Sequence, residues 1–382
     1  MMTTRKSTAS RGSGRGQRVT IADIARRAGV TSAAVSLAVN GRPGVSDATR
    51  TRIMEIAREL DWEPSPAARA LAGAPVLTVG MVLARPAEVL GNEAFFGAFV
   101  AGLQEVLSAQ DYSLQMKIVD GPEAEIDTYR RWFAQRRVDG VVVVDLRADD
   151  ARIPALEELG QPALVVGGPG HHGSLPAVYV DDAQATHLLV DHLAERGHRR
   201  IARVAGTAAF LHTSQRDQAF LDRCTELGID GVLQDAGFGA QDAAVATAEL
   251  LTVEAPPTAI VFDSDEMALA GSHVLAESDV EVPGDIAVAS YEDSPLARTH
   301  RPGITAIGRS AVEYGRVAAT RLLEVIAAAR RRDGEPDGME PEVRALEPEL
   351  VVRASTDPAA QAVADAAAGW AQSARRAPAG GG

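Results

Sequence analysis

The residue types that commonly carry catalysis or bind metals are sparse in this chain of 382 residues and lack the spacings that such chemistry needs. Cys224 is the only cysteine, which excludes cysteine-based zinc and iron–sulfur sites within one chain. The eight histidines do not cluster at ligand spacing, and no Gly-x-Ser-x-Gly or His-Glu-x-x-His motif occurs. Lys6 and Lys117 are the only lysines, and neither lies in a phosphate-loop motif. We therefore expect no enzyme, no cofactor and no metal site.

The arginines indicate a different chemistry, because basic side chains are concentrated at one end of an acidic chain. The whole chain has 38 Lys+Arg against 52 Asp+Glu, a formal charge of −14. Residues 1–73 hold 12 basic and 6 acidic side chains, so this segment carries +6 and the remainder −20. A basic module on an acidic body is typical of a nucleic-acid-binding protein, although a solvated basic arm on an ordinary acidic domain would give the same charges.

The first element that must place these cations is a helix after residue 19. Thr20, with Asp23 three residues later, resembles an N-cap with an acidic return partner. The apolar residues between Ile21 and Ala28 recur at helical spacing. Gly29 then breaks the pattern, which suits a tight turn with positive φ.

Two more helices follow this turn. Thr31 or Ser32 can cap a second helix, whose apolar stripe ends at Asn40-Gly41, and a third helix is predicted from near Ser46. The first two helices and their short turn have helix-turn-helix dimensions, which place the second helix in the major groove of DNA.

The alternative is a small three-helix bundle that binds nothing. Against it stand arginines at surface positions, where a module that clamps the DNA backbone needs cations. These are Arg26, Arg27, Arg42, Arg50 and Arg52.

Four stretches cover residues 19–73 continuously: TIADIARRAGV, TSAAVSLAVNG, VSDATRTRI and PSPAARALAG. They resemble the DNA-binding headpiece of the LacI/GalR family of bacterial transcription regulators. The family reads bases from the start of the second helix. The DNA contacts that the resemblance implies are Thr20, Thr31, Ser32, Ala33, Ser36, Leu37, Asn40, Arg42, Arg50 and Leu71.

Leu37 departs from the family pattern, because many members have an arginine there. The bidentate contact of arginine to guanine is therefore not available from this position. Ser32 can still hydrogen-bond a base edge, and Ala33 and Leu37 can pack on thymine methyl groups. The operator sequence is thus left open, whereas DNA binding is expected.

The segment at residues 64–75 begins as a Pro-started, Ala-rich helix too short to be stable alone. The resemblance implies a hinge helix that folds on operator DNA and pairs with that of a dimer mate, with Leu71 as a wedge in the minor groove. Packing of Leu71 against the following domain is the alternative. Residues 1–18 are rich in Ser, Gly and Arg and are expected to be a disordered basic arm, followed by the helix-turn-helix domain at 19–63.

Beyond Pro75, short apolar runs alternate with helical stretches. Examples are Leu77 to Leu83, Phe95 to Gln110, Ser113 to Val119, Ile126 to Arg137, Ala163 to Val166, Thr186 to Arg196, Gln215 to Leu227 and Ala259 to Phe262. Continuous apolar strands between helices are typical of parallel sheets covered on both faces. Two such sheets predict two Rossmann-like lobes, with ligands at the carboxyl ends of the strands. The expected fold is thus an all-α headpiece followed by an α/β effector domain.

The resemblance continues through LVDHLAERGHRRIARVAG, FDSDEMALA, VPGDIAVASYEDSPLARTHRPGITAI and EPELVVRAS. It implies a periplasmic-binding-protein-like fold whose chain crosses between the lobes near Asp181, Ile307 and Leu346. The predicted lobes are 76–181 with 308–345, and 182–307 with 346–357. Residues 358–382 are expected to be a disordered tail.

Eight residues are predicted to bind an effector: Phe95, Phe96, Asp181, Arg216, Phe238, Ser264, Glu292 and Arg309. The resemblance assigns Arg216 to ligand hydroxyls or carboxylates, with a surface ion pair as the alternative. The phenylalanines can equally be core residues. Arg309 replaces a frequent glutamine, and a cation there would favour an acidic or phosphorylated ligand.

Together these patterns predict a cytoplasmic transcription regulator, expected to act as a repressor, under the control of a small molecule of sugar type. No apolar run is long enough for a membrane span, and the N-terminus has no apolar signal core. No leucine heptad follows Val352, so we expect a homodimer on a pseudo-palindromic operator. The alternative is a cytoplasmic sugar-binding or sugar-processing protein that does not bind an operator.

Overall fold

The structure, a computed structural model, describes residues 19–39, 41–63, 74–237, 239–331 and 340–360. The chain divides into two compact units, Met1–Val76 (the headpiece) and Leu77–Gly382 (the body). The predicted basic arm, the hinge helix with Leu71 and most of the predicted tail lie outside the described residues, as do Asn40 and Phe238.

The described residues of the headpiece form three short helices, and their caps confirm the signals in the sequence. The helices are α1 (Ile21–Ala28), α2 (Ser32–Val39) and α3 (Asp47–Glu59). The backbone N–H of Thr20 donates to Asp23 Oδ2 at 3.0 Å, and Gly29 ends α1 with a φ of 67°. Thr31 Oγ1 accepts from the backbone N–H of Ala34 at 3.2 Å, so Thr31 caps α2.

One apolar core joins the three headpiece helices. Ile24, Val35 and Ile53, one from each helix, are fully buried at its centre. Trp62 follows α3 and packs against this core from its edge. The apolar stripes that predicted the helices therefore face one another in the folded headpiece.

The first half of the body forms a parallel sheet. Six described strands lie in the order β2-β1-β3-β4-β5-β11. They are β1 (Thr78–Leu83), β2 (Ser113–Ile118), β3 (Gly140–Val143), β4 (Ala163–Val166), β5 (Ala177–Val180) and β11 (Glu342–Leu346). β3 and β4 are buried along their whole length, as expected for a sheet covered on both faces. We call this sheet and its helices the N-terminal lobe.

The second sheet repeats this order as β7-β6-β8-β9-β10-β12, with β12 antiparallel to β10. Its strands are β6 (Arg200–Ala205), β7 (Asp230–Asp235), β8 (Ala259–Phe262), β9 (Ala287–Ser290), β10 (Thr305–Gly308) and β12 (Glu349–Val351). This sheet and its helices form the C-terminal lobe. The chain thus passes between the sheets after β5, after β10 and after β11.

Helices cover both sheets. Those of the N-terminal lobe are α4 (Ala87–Asn92), α5 (Ala94–Ala109), α6 (Pro122–Ala134), α7 (Arg152–Leu159) and α13 (Ala311–Arg330). Those of the C-terminal lobe are α8 (Asp182–Glu195), α9 (Leu211–Glu226), α10 (Ala240–Thr252), α11 (Asp265–Glu277) and α12 (Pro295–Thr299). None of the described helices is both long and apolar enough to cross a membrane.

α5 and α13 approach closely because each has a glycine at the contact. A Cβ on Gly315 would lie 2.1 Å from the carbonyl oxygen of Phe99, and one on Gly102 would lie 1.9 Å from that of Val312. Both neighbouring atoms belong to backbone, which cannot move aside as a flexible side chain can. The crossing joins a helix near the start of the body to one near its end.

We therefore expect Gly315→Ala to lower the free energy of unfolding of the body by about 1–3 kcal/mol, as overpacking does in a close-packed interior. Gly97→Ala on α5 is the matched control, because a Cβ there meets nothing within 4 Å. The control should be neutral or stabilising by up to about 1 kcal/mol, since alanine favours a helix over glycine. Urea unfolding of both variants measures this, and equal losses would contradict the close approach.

Candidate effector site and DNA-binding surface

The polar side chains of the body meet where the parallel strands end. Arg85 and Asp145 follow β1 and β3 in the N-terminal lobe, and Asp263 and Glu292 follow β8 and β9 in the C-terminal lobe. In doubly wound sheets, ligands bind outside the carboxyl ends of the strands, at the point where the strand order reverses. That point lies between β1 and β3 in one sheet and between β6 and β8 in the other. Residues from both edges line one cavity, which we call the cleft.

Arg216 lies at the centre of the charged groups in the cleft. Its Nε donates to Asp182 Oδ1 at 2.8 Å, and its Nη1 donates to Asp263 Oδ1 at 3.1 Å. Its guanidinium carbon stands 4.5 Å from the centroid of the Tyr291 ring, which adds a cation–π contact. The side chain is 5% exposed, so the alternative of a surface ion pair is excluded.

Asp263 joins this arginine to a second, fully buried one. Its carboxylate accepts from Arg203 Nη2 at 2.9 Å and from the backbone N–H of Gly206 at 2.6 Å, in addition to Arg216. Burial would raise the pKa of Asp263, but the two guanidinium groups outweigh it and hold the pKa below its ordinary value. Asp263 is therefore ionised and fixes both arginines.

Arg85 forms a second charged cluster on the N-terminal lobe. Its Nε and Nη2 each donate to the Asp145 carboxylate at 2.7 Å, and its Nη1 donates to Glu93 Oε2 at 2.5 Å. The guanidinium carbon lies 5.0 Å from the ring centroid of Phe96 and 4.8 Å from that of Phe210. Because Phe210 belongs to the C-terminal lobe, this cluster also contacts the opposite lobe.

Arg309 lies where the chain returns to the N-terminal lobe, and it too has a carboxylate partner. Its Nη1 donates to Asp182 Oδ1 at 3.3 Å, on the oxygen that Arg216 also uses. Its Nε is buried and has no hydrogen-bond partner among the described residues.

Aromatic rings form one wall of the cleft. Phe95 stacks on Phe99 with ring centroids 5.9 Å apart and meets Phe96 edge to face at the same distance. Phe96 and Phe99 are buried, whereas Phe95 is half-exposed. Phe95 therefore presents an apolar face to a ligand.

Two carboxyl groups in the cleft differ from the paired ones. Burial raises the pKa of Glu292 to about 8, and the negative charge of Glu93 adds to the rise. Burial likewise raises the pKa of Glu93 to about 7, although Arg85 opposes it. His212 is neutral at pH 7, because burial and then Arg216 lower its pKa to about 4.

In the headpiece, the start of α2 is open to solvent. Ser32 and Ala33 are exposed, as a base-reading position requires. Leu37 is half-buried and lies over Gly44, where a Cβ would come within 3.2 Å of its Cδ1. Arg50 binds protein backbone, since its Nη1 donates to the carbonyl oxygen of Ala38 in the last turn of α2 and its Nη2 to that of Arg42 after this helix, both at 2.8 Å.

Comparison with known proteins matches both units. The family model for bacterial regulatory proteins of the lacI family matches residues 20–65, and that for a periplasmic binding protein-like domain matches residues 190–356. The HTH-type transcriptional regulator CelR of Thermobifida fusca is 32% identical over 351 residues, which are 89% of this chain and 99% of that protein. This chain belongs to the lacI family.

Two solved structures extend the family match to the whole architecture. A lac repressor dimer bound to operator and an anti-inducer is 25% identical with a TM-score of 0.75, covering 89% of this chain and 99% of that one. A complex of the transcriptional regulator CelR with cellobiose is 28% identical with a TM-score of 0.65, covering 88% and 100%. The predicted fold class is confirmed, and this lacI-family member is a DNA-binding transcription regulator with an effector domain.

The structure gathers most of the predicted effector residues in the cleft. Those that line it are Phe95, Phe96, Arg216, Ser264, Glu292 and Arg309. Ser264 also caps α11, because its Oγ accepts from the backbone N–H of Met267 at 3.2 Å. Its hydroxyl proton is still available to a ligand.

The prediction for Asp181 is corrected by one residue. Asp181 caps α8 by accepting from the backbone N–H of Gln184 at 2.9 Å, and its other oxygen pairs with Arg344. Asp182, the first residue of α8, lines the cleft instead. The N-cap side chain folds back onto its own helix, which leaves the next side chain to face the ligand space.

Sequence reasoning missed the remaining polar residues of the cleft. They are Arg85, Glu93, Asp145, His212 and Asp263, together with Asp182. A signal was present for four of them, because each of Arg85, Asp145, Asp182 and Asp263 follows the end of a strand by one or two residues. Polar residues at that spacing mark the ligand edge of a parallel sheet. Glu93 and His212 have no such signal.

We expect Asp263→Asn to lower the free energy of unfolding of the body at pH 7 by about 3–5 kcal/mol, because two buried guanidinium groups lose a shared anion. The matched control is Asp127→Asn, which removes an exposed partner of Arg130 at 3.5 Å and should cost at most about 1 kcal/mol. Urea unfolding measures both.

The stabilisation by Asp263 should depend on pH, and the direction of this dependence follows from its pKa. Since the pKa of Asp263 in the folded protein lies below its ordinary value of 3.8, its contribution is present above about pH 4. The contribution is lost as the pH falls through the folded pKa. The difference between wild type and Asp263→Asn should therefore shrink below pH 4, and a difference that stays constant down to pH 3 would contradict the assigned charge.

Proposed function

We propose that this protein is a cytoplasmic repressor, which binds a pseudo-palindromic operator as a homodimer and releases it when a saccharide occupies the cleft. Two features together carry the proposal. The start of α2 in the headpiece is exposed, and the cleft in the body combines an aromatic wall with polar groups. The CelR structure with cellobiose supports a saccharide in the cleft, and the lac repressor structure with operator supports DNA binding. The body binds its ligand without converting it.

On the DNA side, α2 enters the major groove and reads base edges from its first turn. Ser32 donates to or accepts from a base edge, and Ala33 packs on a thymine methyl group. Leu37, which lies over Gly44, contributes less to base reading than the first turn does. Leu71 acts from the hinge as the apolar wedge that kinks the operator.

Other predicted contacts of the headpiece hold the DNA backbone. Thr20 precedes α1, Arg42 follows α2, and Ser36 lies within α2; these three residues and Asn40 contact phosphates. Thr31 and Arg50 act indirectly, because their polar groups cap α2 and tie down the segment after it. These two side chains hold the reading helix in its orientation.

In the cleft, Phe95 packs against the apolar face of a sugar ring, and polar groups of the lining bind its hydroxyls. Arg309 offers its buried Nε–H, and Ser264 offers its hydroxyl. Arg216 forms the floor of the site with its carboxylate partners. An aromatic surface combined with a few directed polar groups is the usual composition of a small-molecule site.

The two lobes are joined at one edge of the cleft by the start of α9. The backbone N–H of Leu211 donates to the carbonyl oxygen of Leu146 at 2.7 Å, and the Leu211 side chain, 4% exposed, packs into the apolar core of the N-terminal lobe. A ligand that changes the angle between the lobes therefore acts on this contact. The N-terminal lobes of the dimer then shift and unpair the hinge helices, so that operator affinity falls.

For operator binding, we expect Arg52→Ala to reduce the slope of log affinity against log salt concentration by about 0.9, the value for one phosphate contact. Arg130→Ala on the body is the matched control, because it removes the same charge from an exposed side chain and should leave the slope unchanged. Fluorescence anisotropy on a duplex selected from genomic fragments gives both slopes. Absence of binding by the wild-type protein at low salt would refute the regulator.

For effector control, a saccharide that raises the melting temperature must bind the native state, and it should change operator affinity about 5- to 150-fold. Phe95→Ala should abolish both effects of that saccharide, because the sugar ring loses its apolar face. Phe133→Ala removes an exposed phenylalanine outside the cleft and should retain both. Differential scanning and anisotropy measure the two effects, and a saccharide that raises the melting temperature without changing operator affinity would contradict the coupling.

A further inference from the structure

The charges of the cleft restrict what kind of ligand it accepts. Each arginine of the lining already has carboxylate partners: Asp145 and Glu93 bind Arg85, and Asp182 binds both Arg216 and Arg309. An anionic ligand that takes an arginine donor already in use would have to displace one of these carboxylates. The displaced group would then remain in a poorly solvated site without its counter-ion, which costs several kcal/mol.

The lining has more acidic than basic groups. Three arginines face five carboxyl groups, and His212 adds no positive charge at pH 7. With all of these groups ionised, the lining has a formal charge of −2. Because burial raises the pKa of Glu292 to about 8 and that of Glu93 to about 7, these carboxyl groups are largely or partly protonated in the empty cleft at pH 7, and a cation that binds beside them favours their ionisation. A phosphate group meets arginines that already have carboxylate partners.

Glu292 is the carboxyl group of the lining that has no arginine partner among the described residues. No donor among the described residues binds the carboxyl group of Glu292. The backbone N–H of Glu292 donates to Ser290 Oγ, and this bond does not involve the carboxyl group. The other four carboxyl groups of the lining are all bound to arginine. Burial, together with Glu93, raises the pKa of Glu292 by more than the nearby charges of Arg309 and Arg216 lower it. Phe95 and Arg309 lie beside Glu292 and also line the neighbouring groove.

We propose that the cleft selects a ligand with a protonated amine, an amino sugar or an amine-bearing polyol whose ammonium group binds Glu292, and that it rejects phosphorylated sugars. The proposal rests on the proposed function in placing the effector in this cleft. It reverses the expectation that Arg309 favours an acidic ligand, because Arg309 is paired with Asp182. The ammonium group supplies three donors and one charge, and the hydroxyls of the same ligand use the donors on the opposite side.

The test compares neutral sugars with their amino and phosphate derivatives. One set is cellobiose, its β-1,4-linked diglucosamine analogue and cellobiose 6-phosphate, and the other sets are glucose and galactose with their 2-amino and 6-phosphate derivatives. Calorimetry on the full-length protein at pH 7 measures each affinity. In at least one set, we expect the amine to bind at least 10-fold more tightly than the neutral sugar, and the phosphate ester to bind more weakly than both.

Glu292→Gln keeps the shape of the side chain and removes its charge, so the ratio of the affinity for the amine to that for the neutral sugar should fall to about 1. The variant should fold, because it removes a carboxyl group that no donor stabilises. Glu277→Gln is the matched control, since Glu277 is exposed at the end of α11 and should leave the preference intact. A preference that survives in Glu292→Gln would overturn the assignment of Glu292.

Two other outcomes would overturn the proposal as a whole. One is that no amine binds more tightly than its neutral counterpart in any set, including the case in which no sugar of the sets binds. The other is that a phosphate ester is the tightest ligand of its set. Operator binding, measured on the same preparation by anisotropy, separates this failure from failure of the proposed function, because only loss of DNA binding refutes the regulator.

Discussion

The body of this protein depends on two aspartates that share arginines across the carboxyl edge of its second sheet. Asp182 binds Arg216 and Arg309, and Asp263 binds Arg216 and Arg203. Because these groups are buried, neither the acids nor the arginines can exchange their partners for water without a large cost. The ligand edge of the C-terminal lobe is therefore rigid before any ligand arrives. Such preorganisation reduces the conformational entropy that binding must overcome.

The same pairing determines the electrostatic character of the cleft. An arginine without a carboxylate partner would favour an anionic ligand. An arginine that is paired with carboxylates has its charge neutralised and offers a ligand only its remaining N–H groups. Glu292 then becomes the side chain that decides which ligands fit, although it contributes nothing to the network. This distinction between residues that build the site and residues that select the ligand explains why the cleft can be stable and specific at once.

Control of DNA binding requires that a cleft of this rigidity still has two arrangements of its lobes. The lobes meet through Leu146 and Leu211 at one edge, and Arg85 contacts Phe210 from across the cleft. Arg147 also contacts Phe210, and Arg344 donates to Gln184 of α8. In the proposed mechanism, the angle between the lobes is the degree of freedom that a ligand changes. The headpiece is held by local contacts of a different kind, such as Arg50 on the segment after α2, and keeps its own shape.

The sequence by itself determined those features that depend on neighbouring residues. The helices of the headpiece follow from caps and apolar spacing that act within four residues, as at Thr20, and the alternating strands follow from continuous apolar runs. Helix starts were less accurate: α6, α8 and α9 each begin four residues before their predicted apolar stretch, because a first turn is set by capping more than by burial. Only the tertiary structure decided the site. The partners of Arg216 lie 34 and 47 positions away along the chain, and the choice of Asp182 over Asp181 depends on which side chain caps the helix. Contacts at such separations arise when strands far apart in sequence end at one edge, and for that reason local patterns do not contain them.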